Sequence, residues 1–285
     1  MSARNRGMAL IQALLIVAAL AAVATALLIR AERARERLEW RFAADQAALY
    51  LDSGVELLRA SLPRGPVHPA QDWAEPREGV EIDRGRLDWT VTDLRGRFNL
   101  NLLQGSASGP YRDAFLALAT GAGVPREQAI DTLARSLPEG EAFDAATVLT
   151  LGHHLGDDRD HEAWDRVTDL VWAWPLDEGM NLNTLPEGTL ALLLPGFDSL
   201  ALGSLRAQLE AEPEGSLEDL LDWAAGALSE EQSMALEDLP LSRSSTQFRV
   251  QMAARLDTLT LRRSVILDTG GPDGVSRVVM SIPGY

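Results

Sequence analysis

Hydrophobic and polar positions divide the chain into three regimes. Residues 8–29 form a run of 22 without a charge, in which only Gln12 and Thr25 are polar. As a helix this run spans about 33 Å, enough for a hydrocarbon core of about 30 Å. No turn residue follows it. Phe42, Leu49, Tyr50, Leu57 and Leu58 recur at helical spacing among Arg, Glu and Asp. The pattern predicts one helix that changes from apolar to amphipathic and continues to about Leu62, where Pro63 and Gly65 stop it. Over residues 8–62 it would be about 80 Å long. Residues 63–79, with four Pro and two Gly, read as loop. Residues 87–94 alternate, with Leu87, Trp89 and Val91 on one face, and predict a strand, followed by a turn at residues 95–97.

The second regime, residues 110–240, reads as mostly helical. Pro110 opens a helix with Tyr111, Phe115, Leu118 and Ala119 on its apolar face. Pro125 opens another, with Ile130, Leu133 and Leu137. Asp144 is placed to cap a third, and Pro186 opens a fourth through Leu190, Leu193 and Leu194. Ser216 and Ser229 begin two more, and Ser229 with Gln232 fits a capping box. In the third regime the period returns to two. Residues 247–256, 258–268 and 275–282 predict three antiparallel strands separated by short turns. The fold class is therefore α+β, with a large all-helical insertion between an early strand and the C-terminal strands. These strands are expected to share one antiparallel sheet, covered on one face by the amphipathic half of the N-terminal helix.

The apolar run permits three readings. Ala22, Val23 and Ala24 offer a small-residue cleavage site for a secretory signal, although cleavage there would leave Leu27, Leu28 and Ile29 exposed. A plain membrane anchor is the second. The third starts from Gly7, which ends a short, basic, hydrophilic leader, residues 1–7, directly before the apolar run. Arg4 and Arg6 precede the run and five Arg with three Glu follow it in residues 30–41, so flanking charge does not settle orientation.

Composition narrows the chemistry. All 26 basic residues are Arg, against 42 acids, and there is no Cys. Disulfides, thiolate zinc sites and Cys nucleophiles are excluded. A net charge of −16 argues against a general nucleic-acid binder. The charge is unevenly divided: residues 1–41 hold seven Arg and three acids, and residues 42–285 hold 19 Arg and 39 acids. Residues 200–240 carry ten acids and one Arg, the composition of a solvated helical surface. The segment Gly-Ser-Ala-Ser-Gly at residues 105–109 has Ala107 where a nucleophile elbow needs Ser. There is no P-loop, no G-x-G-x-x-G after a strand and no H-E-x-x-H, so no enzyme activity is expected. Asp158, Asp160 and Glu162 alternate as calcium-loop ligands do, with Asp169 at the twelfth position. Ala163, however, stands where the sharp-turn Gly belongs, so no cofactor is secure and calcium is only a weak candidate. His153, His154 and His161 lack zinc-ligand spacing. The paired Asn99/Asn101 and Asn181/Asn183 suit local bridging to backbone groups.

Taken together these residues resemble the general secretion pathway protein K family, the large minor pseudopilin of type II secretion systems. Residues 6–11, Arg-Gly-Met-Ala-Leu-Ile, resemble the family's prepilin cleavage site and helix start. Gly96, Arg97, Phe98, Asn99, Leu100 and Asn101 resemble its G-R-F-N-L-N segment. Met180, Asn181, Leu182, Asn183 and Thr184, followed by residues 190–196, resemble its I-N-V-N-T-A stretch and the helix after it. The order holds over almost the whole chain. The resemblance implies a pilin-like fold: leader 1–7, transmembrane helix 8–29, amphipathic helix 30–62, a pilin-like α+β unit from residues 63–109 and 241–285, and a helical insertion domain 110–240. It implies cleavage between Gly7 and Met8 by prepilin peptidase, with N-methylation of Met8. It implies a single pass of the inner membrane, with the C-terminal domain in the periplasm. The expected partners are minor pseudopilins I and J, the rest of the pseudopilus and the inner-membrane assembly platform. Most pilins carry Glu at the fifth mature position, to pair with a neighbour's amino terminus. Here Gln12 stands there, as in this family, which implies a place at the pseudopilus tip and a part in starting assembly. The family's calcium-linked acidic segment has no counterpart in residues 129–140. A type IV minor pilin and a membrane-anchored periplasmic enzyme are the competing classes.

Overall fold

In a computed structural model the described residues are 3–104, 108–136, 142–257, 259–271 and 275–284, with side chains described from Leu14 onward, Ser108 excepted. Helix α1 runs unbroken over Ala3–Ser61. It begins five residues before Met8, so the leader's last residues are helical too. Residues 14–42 of the helix are exposed along their whole circumference. From Ala43 onward one face is covered. Ala47, Leu51, Val55, Leu58 and Leu62, three or four residues apart, are buried, while Leu49 and Leu57 are not.

What covers them is a five-stranded antiparallel sheet. It comprises β1 (Arg77–Ile82), β2 (Gly85–Asp93), β7 (Gln247–Leu256), β8 (Leu259–Asp268) and β9 (Arg277–Gly284), in the order β1-β2-β7-β8-β9. The early and late strands join directly, with Trp89 opposite Met252 and Val91 opposite Val250. Period-two alternation puts Leu87, Val91, Phe248, Val250, Met252, Ala254, Val265 and Leu267 on the face that meets α1. Helix and sheet approach closely at Gly54, where an added Cβ would lie 2.1 Å from the Met252 methyl carbon. Strand β1 departs from the expected loop over residues 63–79. Only Val80 and Ile82 are apolar in it, and as an edge strand it needs one partner and little burial.

The helical insertion comprises α2 (Ser108–Gly121), α3 (Arg126–Ser136), α4 (Ala145–Leu149), α5 (His161–Leu170), α6 (Glu187–Leu193), α7 (Ser199–Ala211), α8 (Leu217–Ala227) and α9 (Glu230–Glu237). The expected caps are present. Asp144 accepts from Thr147 N, and both Ser216 with Asp219 and Ser229 with Gln232 form reciprocal capping boxes. Phe115, Leu118 and Ala119 of α2 are buried as expected, but Ile130 of α3 is 40% exposed and Leu137 lies outside the described residues. The core of this unit also draws on Leu94, Phe98, Leu100, Leu102 and Leu103, and on Ile266 from the far face of the sheet. Two pairs of two-residue parallel strands complete the fold: β3 (Phe98–Asn99) with β4 (Val171–Trp172), and β5 (Met180–Asn181) with β6 (Leu241–Ser242).

The two sides of α1 make opposite predictions. Leu51→Ala removes a fully buried side chain and is expected to cost about 2–5 kcal/mol. Leu49→Ala, at a position 59% exposed, is expected to stay within about 0.5 kcal/mol of the parent. Urea unfolding of the chain lacking residues 1–29 checks both, and equal costs would contradict the observed packing of the helix.

Candidate functional site

Two structural features bear on function: the N-terminal helix and a buried polar junction between the two units. Gly7, Met8 and Gln12 lie within α1, and their side chains are outside the described residues. Farther along α1, Leu38, Phe42 and Leu49 are 55%, 72% and 59% exposed. Their spacing of four and seven residues puts them on one stripe. That stripe lies on the side of the helix opposite Ala47, Leu51 and Leu58, so it faces away from the sheet.

The junction is built around Asp93, the last residue of β2, which is 4% exposed. Its Oδ1 accepts from Arg95 N at 2.9 Å and from the Ser245 hydroxyl. Its Oδ2 accepts from Asn181 Nδ2 at 2.7 Å and Thr184 Oγ1 at 2.5 Å. Burial pushes the carboxyl above the ordinary carboxylate range, and the donors from Ser245, Thr184, Asn181 and Arg95 oppose that rise. These donors come from the turn after the early strand, the insertion and the segment leading back into β7. Asp93 therefore fastens all three together.

The Asn motifs are two copies of one device. Phe98-Asn-Leu-Asn-Leu-Leu103 and Met180-Asn-Leu-Asn-Thr-Leu185 each begin with a two-residue parallel strand. In each, the Oδ1 of the first Asn accepts from the backbone N of the second at 3.1 Å. This is an Asx turn, which ends the strand. The second Asn then binds distant backbone. Asn101 donates to Phe143 O and Trp174 O at 3.2 and 2.9 Å and accepts from Phe143 N at 2.7 Å. Asn183 donates to Val67 O and Pro213 O, both at 3.1 Å, and accepts from the Arg243 guanidinium. Asn99 adds a bond to Trp174 O and Asn181 one to Val67 O. The first copy ties its strand end to the insertion at Phe143 and Trp174; the second ties the insertion to the connector at Val67 between α1 and the sheet.

The neighbouring residues have physical reasons for their identity. A Cβ on Gly96 would meet Thr184 Oγ1 at 2.2 Å, so only Gly admits the hydroxyl that Asp93 holds. Arg95 is buried and donates to Gly179 O at 3.1 and 2.8 Å, with Glu178 3.6 Å away. Burial lowers the pKa of Arg97, and the nearby Arg249 lowers it further. Phe98 is fully buried and tilts against Phe115, 6.2 Å between ring centres. A second tie between the units runs through Arg249, which pairs with Asp169 at 2.7 Å and lies 5.5 Å from the Trp172 ring. Sequence reasoning marked the Asn and Gly residues but not Ser245 or Arg243, whose segment shows no motif. Asp93 stood beside the motif with its role unread.

The weak metal candidates serve other purposes. Residues 158–169 are not a continuous loop, because α5 starts at His161 and occupies the positions a calcium loop needs for its turn. Asp160 is the N-cap of α5 and accepts from Ala163 N at 3.1 Å. Glu162 pairs with Arg166 at 2.9 Å, and the backbone carbonyl of Asp158 accepts from Gln128. His154 meets Asp131 at 3.1 Å and His161 meets Arg159 at 2.6 Å. Among the described residues no group of three or more His, Asp or Glu is placed to hold a metal ion.

Asp93→Asn tests the junction. An amide nitrogen carries no lone pair, so in either orientation it confronts a donor that cannot accept, Arg95 N or Asn181 Nδ2. The expected cost is about 1–3 kcal/mol by urea unfolding. Because burial raises the Asp93 pKa, the ionised form weakens the parent. The parent's advantage is therefore greatest below about pH 3.9 and shrinks as pH rises through the raised folded value. A variant as stable as the parent at pH 4 would show that the junction does not hold the units.

No known protein-family profile matches the chain. The chain is similar to the Type II secretion system protein K of Pectobacterium carotovorum subsp. carotovorum. The two are 24% identical over 252 residues, covering 75% of this chain and 77% of that protein. It is also similar to the protein of the same name from Klebsiella pneumoniae, 31% identical over 122 residues. That match covers 39% of this chain and 37% of the Klebsiella protein. Among solved structures, it is similar to a chain of the GspK-GspI-GspJ complex from the enterotoxigenic Escherichia coli type 2 secretion system. The TM-score is 0.61 at 21% identity, covering 89% of this chain and 99% of that one. That likeness establishes the fold, including the helical insertion.

Proposed function

We propose that this chain is a member of the type II secretion system protein K family, to two proteins of which it is similar, and a minor pseudopilin that stands at the tip of the pseudopilus and helps start its assembly for export of folded proteins across the outer membrane. The observation that carries this reading is α1. Its first half is long and apolar enough to cross a membrane, and from Leu14 to Phe42 its residues are exposed. Its second half buries one face on the sheet and leaves Leu38, Phe42 and Leu49 uncovered. A bare anchor has no need of a rigid continuation with a second apolar stripe; a subunit whose helix joins neighbouring helices does.

In this reading the chain passes once through the inner membrane, with its acidic domain in the periplasm. Prepilin peptidase cuts between Gly7 and Met8 and methylates Met8. The fifth mature residue is then Gln12, which lacks the charge that pairs with a subunit above. The bulk of α2–α9 hinders stacking in the same place. Minor pseudopilins I and J are the partners this arrangement implies, with the inner-membrane assembly platform as the site of assembly. The helical stripe of Leu38, Phe42 and Leu49 is the surface offered to them.

Two experiments test this. Intact mass measurement is expected to find a chain beginning at methylated Met8, and Gly7→Leu is expected to retain the leader and abolish exoprotein export. A mature chain beginning after Ala24, or one that keeps Met1, would refute the pseudopilin reading. Phe42→Glu with Leu49→Glu is expected to lower co-purification with pseudopilins I and J at least tenfold while leaving the urea midpoint of the soluble domain unchanged. Unaltered co-purification would remove this stripe from the interface.

A further inference from the structure

We propose that Arg30, Arg33 and Arg37 of α1, continued outward by Arg41, form a docking stripe for the headgroup phosphates of anionic phospholipids. The proposal rests on the reading that residues 8–29 cross the inner membrane. It goes beyond that reading, because crossing requires only the apolar run.

The stripe follows from helix geometry. At about 100° per residue, spacings of three, four and four place the four arginines within an arc of about 80°. Glu32, Glu36 and Glu39 fall on the opposite side of the helix. Arg35 lies beside those acids and pairs with Glu39 at 2.9 Å. Among the described residues, no acid pairs with the four arginines of the stripe. Arg33, Arg37 and Arg41 repeat one charge at every fourth position, which weakens an isolated helix. An outside anion removes that repulsion. Nothing in the chain covers the stripe: residues 30–42 are exposed, and the sheet covers α1 only from Ala43 onward. The apolar run and the sheet are therefore separated by a bare neck of about 20 Å.

The apolar run identifies the anion. Arg30 follows its last residue directly, and Arg33 lies about 5 Å farther out. Both fall in the headgroup layer, which adds about 5–7 Å to each side of the hydrocarbon core. Helical side chains tilt toward the N-terminus, here toward the bilayer. Arg37 shows this directly, since its Nε donates to Arg33 O at 3.0 Å. Arg41, about 16 Å beyond Arg30, approaches the layer as the helix leans toward the stripe. A guanidinium matches a phosphate bidentately. Anionic headgroups, lacking an ammonium of their own, leave that phosphate uncompensated. The rest of the chain supplies the need for such contacts. Residues 42–285 hold 19 Arg and 39 acids and are repelled by an anionic surface. The stripe offsets that repulsion at the neck. With the domain in the periplasm, the positive-inside tendency gives arginines no reason to stand on this flank, and lipid phosphate does. Leu38 and Phe42 lie about a third of a turn away, so lipid and subunit contacts use different sides of the helix.

The test uses the full chain. Incorporation into phosphatidylcholine nanodiscs is scored first, by co-elution with the disc. Native mass spectrometry then counts lipids retained from micelles holding equal phosphatidylglycerol and phosphatidylcholine with the same acyl chains. Phosphatidylglycerol is expected to be retained over phosphatidylcholine by about fivefold or more. Arg30→Gln with Arg33→Gln and Arg37→Gln is expected to bring the ratio within about twofold of unity, with the urea midpoint unchanged because all three side chains are exposed. Arg41→Gln alone is expected to lower the ratio less than Arg30→Gln alone. Equal retention by the parent, or an unchanged ratio in the triple variant, would overturn the stripe while leaving the membrane reading intact. A triple variant that keeps the ratio but loses co-purification with pseudopilins I and J would overturn it in favour of a protein partner. A chain that enters no disc would overturn the membrane reading and the stripe together.

Discussion

One buried carboxyl group, that of Asp93, joins the sheet to the insertion. Asp93 has four donors, drawn from the turn after its own strand, from the insertion and from the segment entering β7. A carboxylate taken out of water is costly, and hydrogen bonds offset that cost only if every lone pair is used. The geometry is therefore all-or-none. Insertion and sheet must be in register for all four donors to be in place. The same demand explains Gly96, the turn at residues 95–97 and the buried Arg95, which anchors the chain to Gly179 on the far side.

The repeated Asn-x-Asn device extends that logic. A strand of two residues has almost no stability alone. Here the first Asn ends the strand with an Asx turn, and the second spends its carboxamide on backbone groups that would otherwise be buried without partners. Trp174 and Phe143 are held in one copy, Val67 and Pro213 in the other. Short irregular connections thus become rigid without disulfides, in a chain with no Cys. The core follows the same division: one hydrophobic cluster lies between α1 and the sheet, and a larger one fills the helical unit, with Ile266 of the sheet reaching into it.

This rigidity has a functional consequence. A long helix that continues along a sheet transmits position only if the domain on that sheet does not swing. The second Asn copy reaches Val67, six residues past the end of α1, and the guanidinium of Arg59 near that end donates to Ser276 O at 2.6 Å. The large insertion is therefore coupled to the helix through a few bonded residues, which fix its orientation relative to that helix.

Much of the fold is legible in the order of residue types. Residues 247–256 alternate so regularly that strand and register follow from the pleat, and the change from apolar run to amphipathic spacing marks which part of α1 meets a sheet. Pro and Ser mark the helix starts because their effect on the backbone is local. Strand β1 is hidden because its edge position asks little of its side chains. The calcium-like spacing at residues 158–169 falls on a helix start, because a helix N-cap and a loop ligand call for the same residue, Asp160. The sequence by itself determined the elements, the membrane-length run and the Asn pairs, since these depend on neighbours a few positions apart. Only the tertiary structure decided that Asp93, Asn181, Thr184 and Ser245 share one buried point. That outcome depends on groups separated by 88 to 152 residues in the chain and on the burial that their meeting creates.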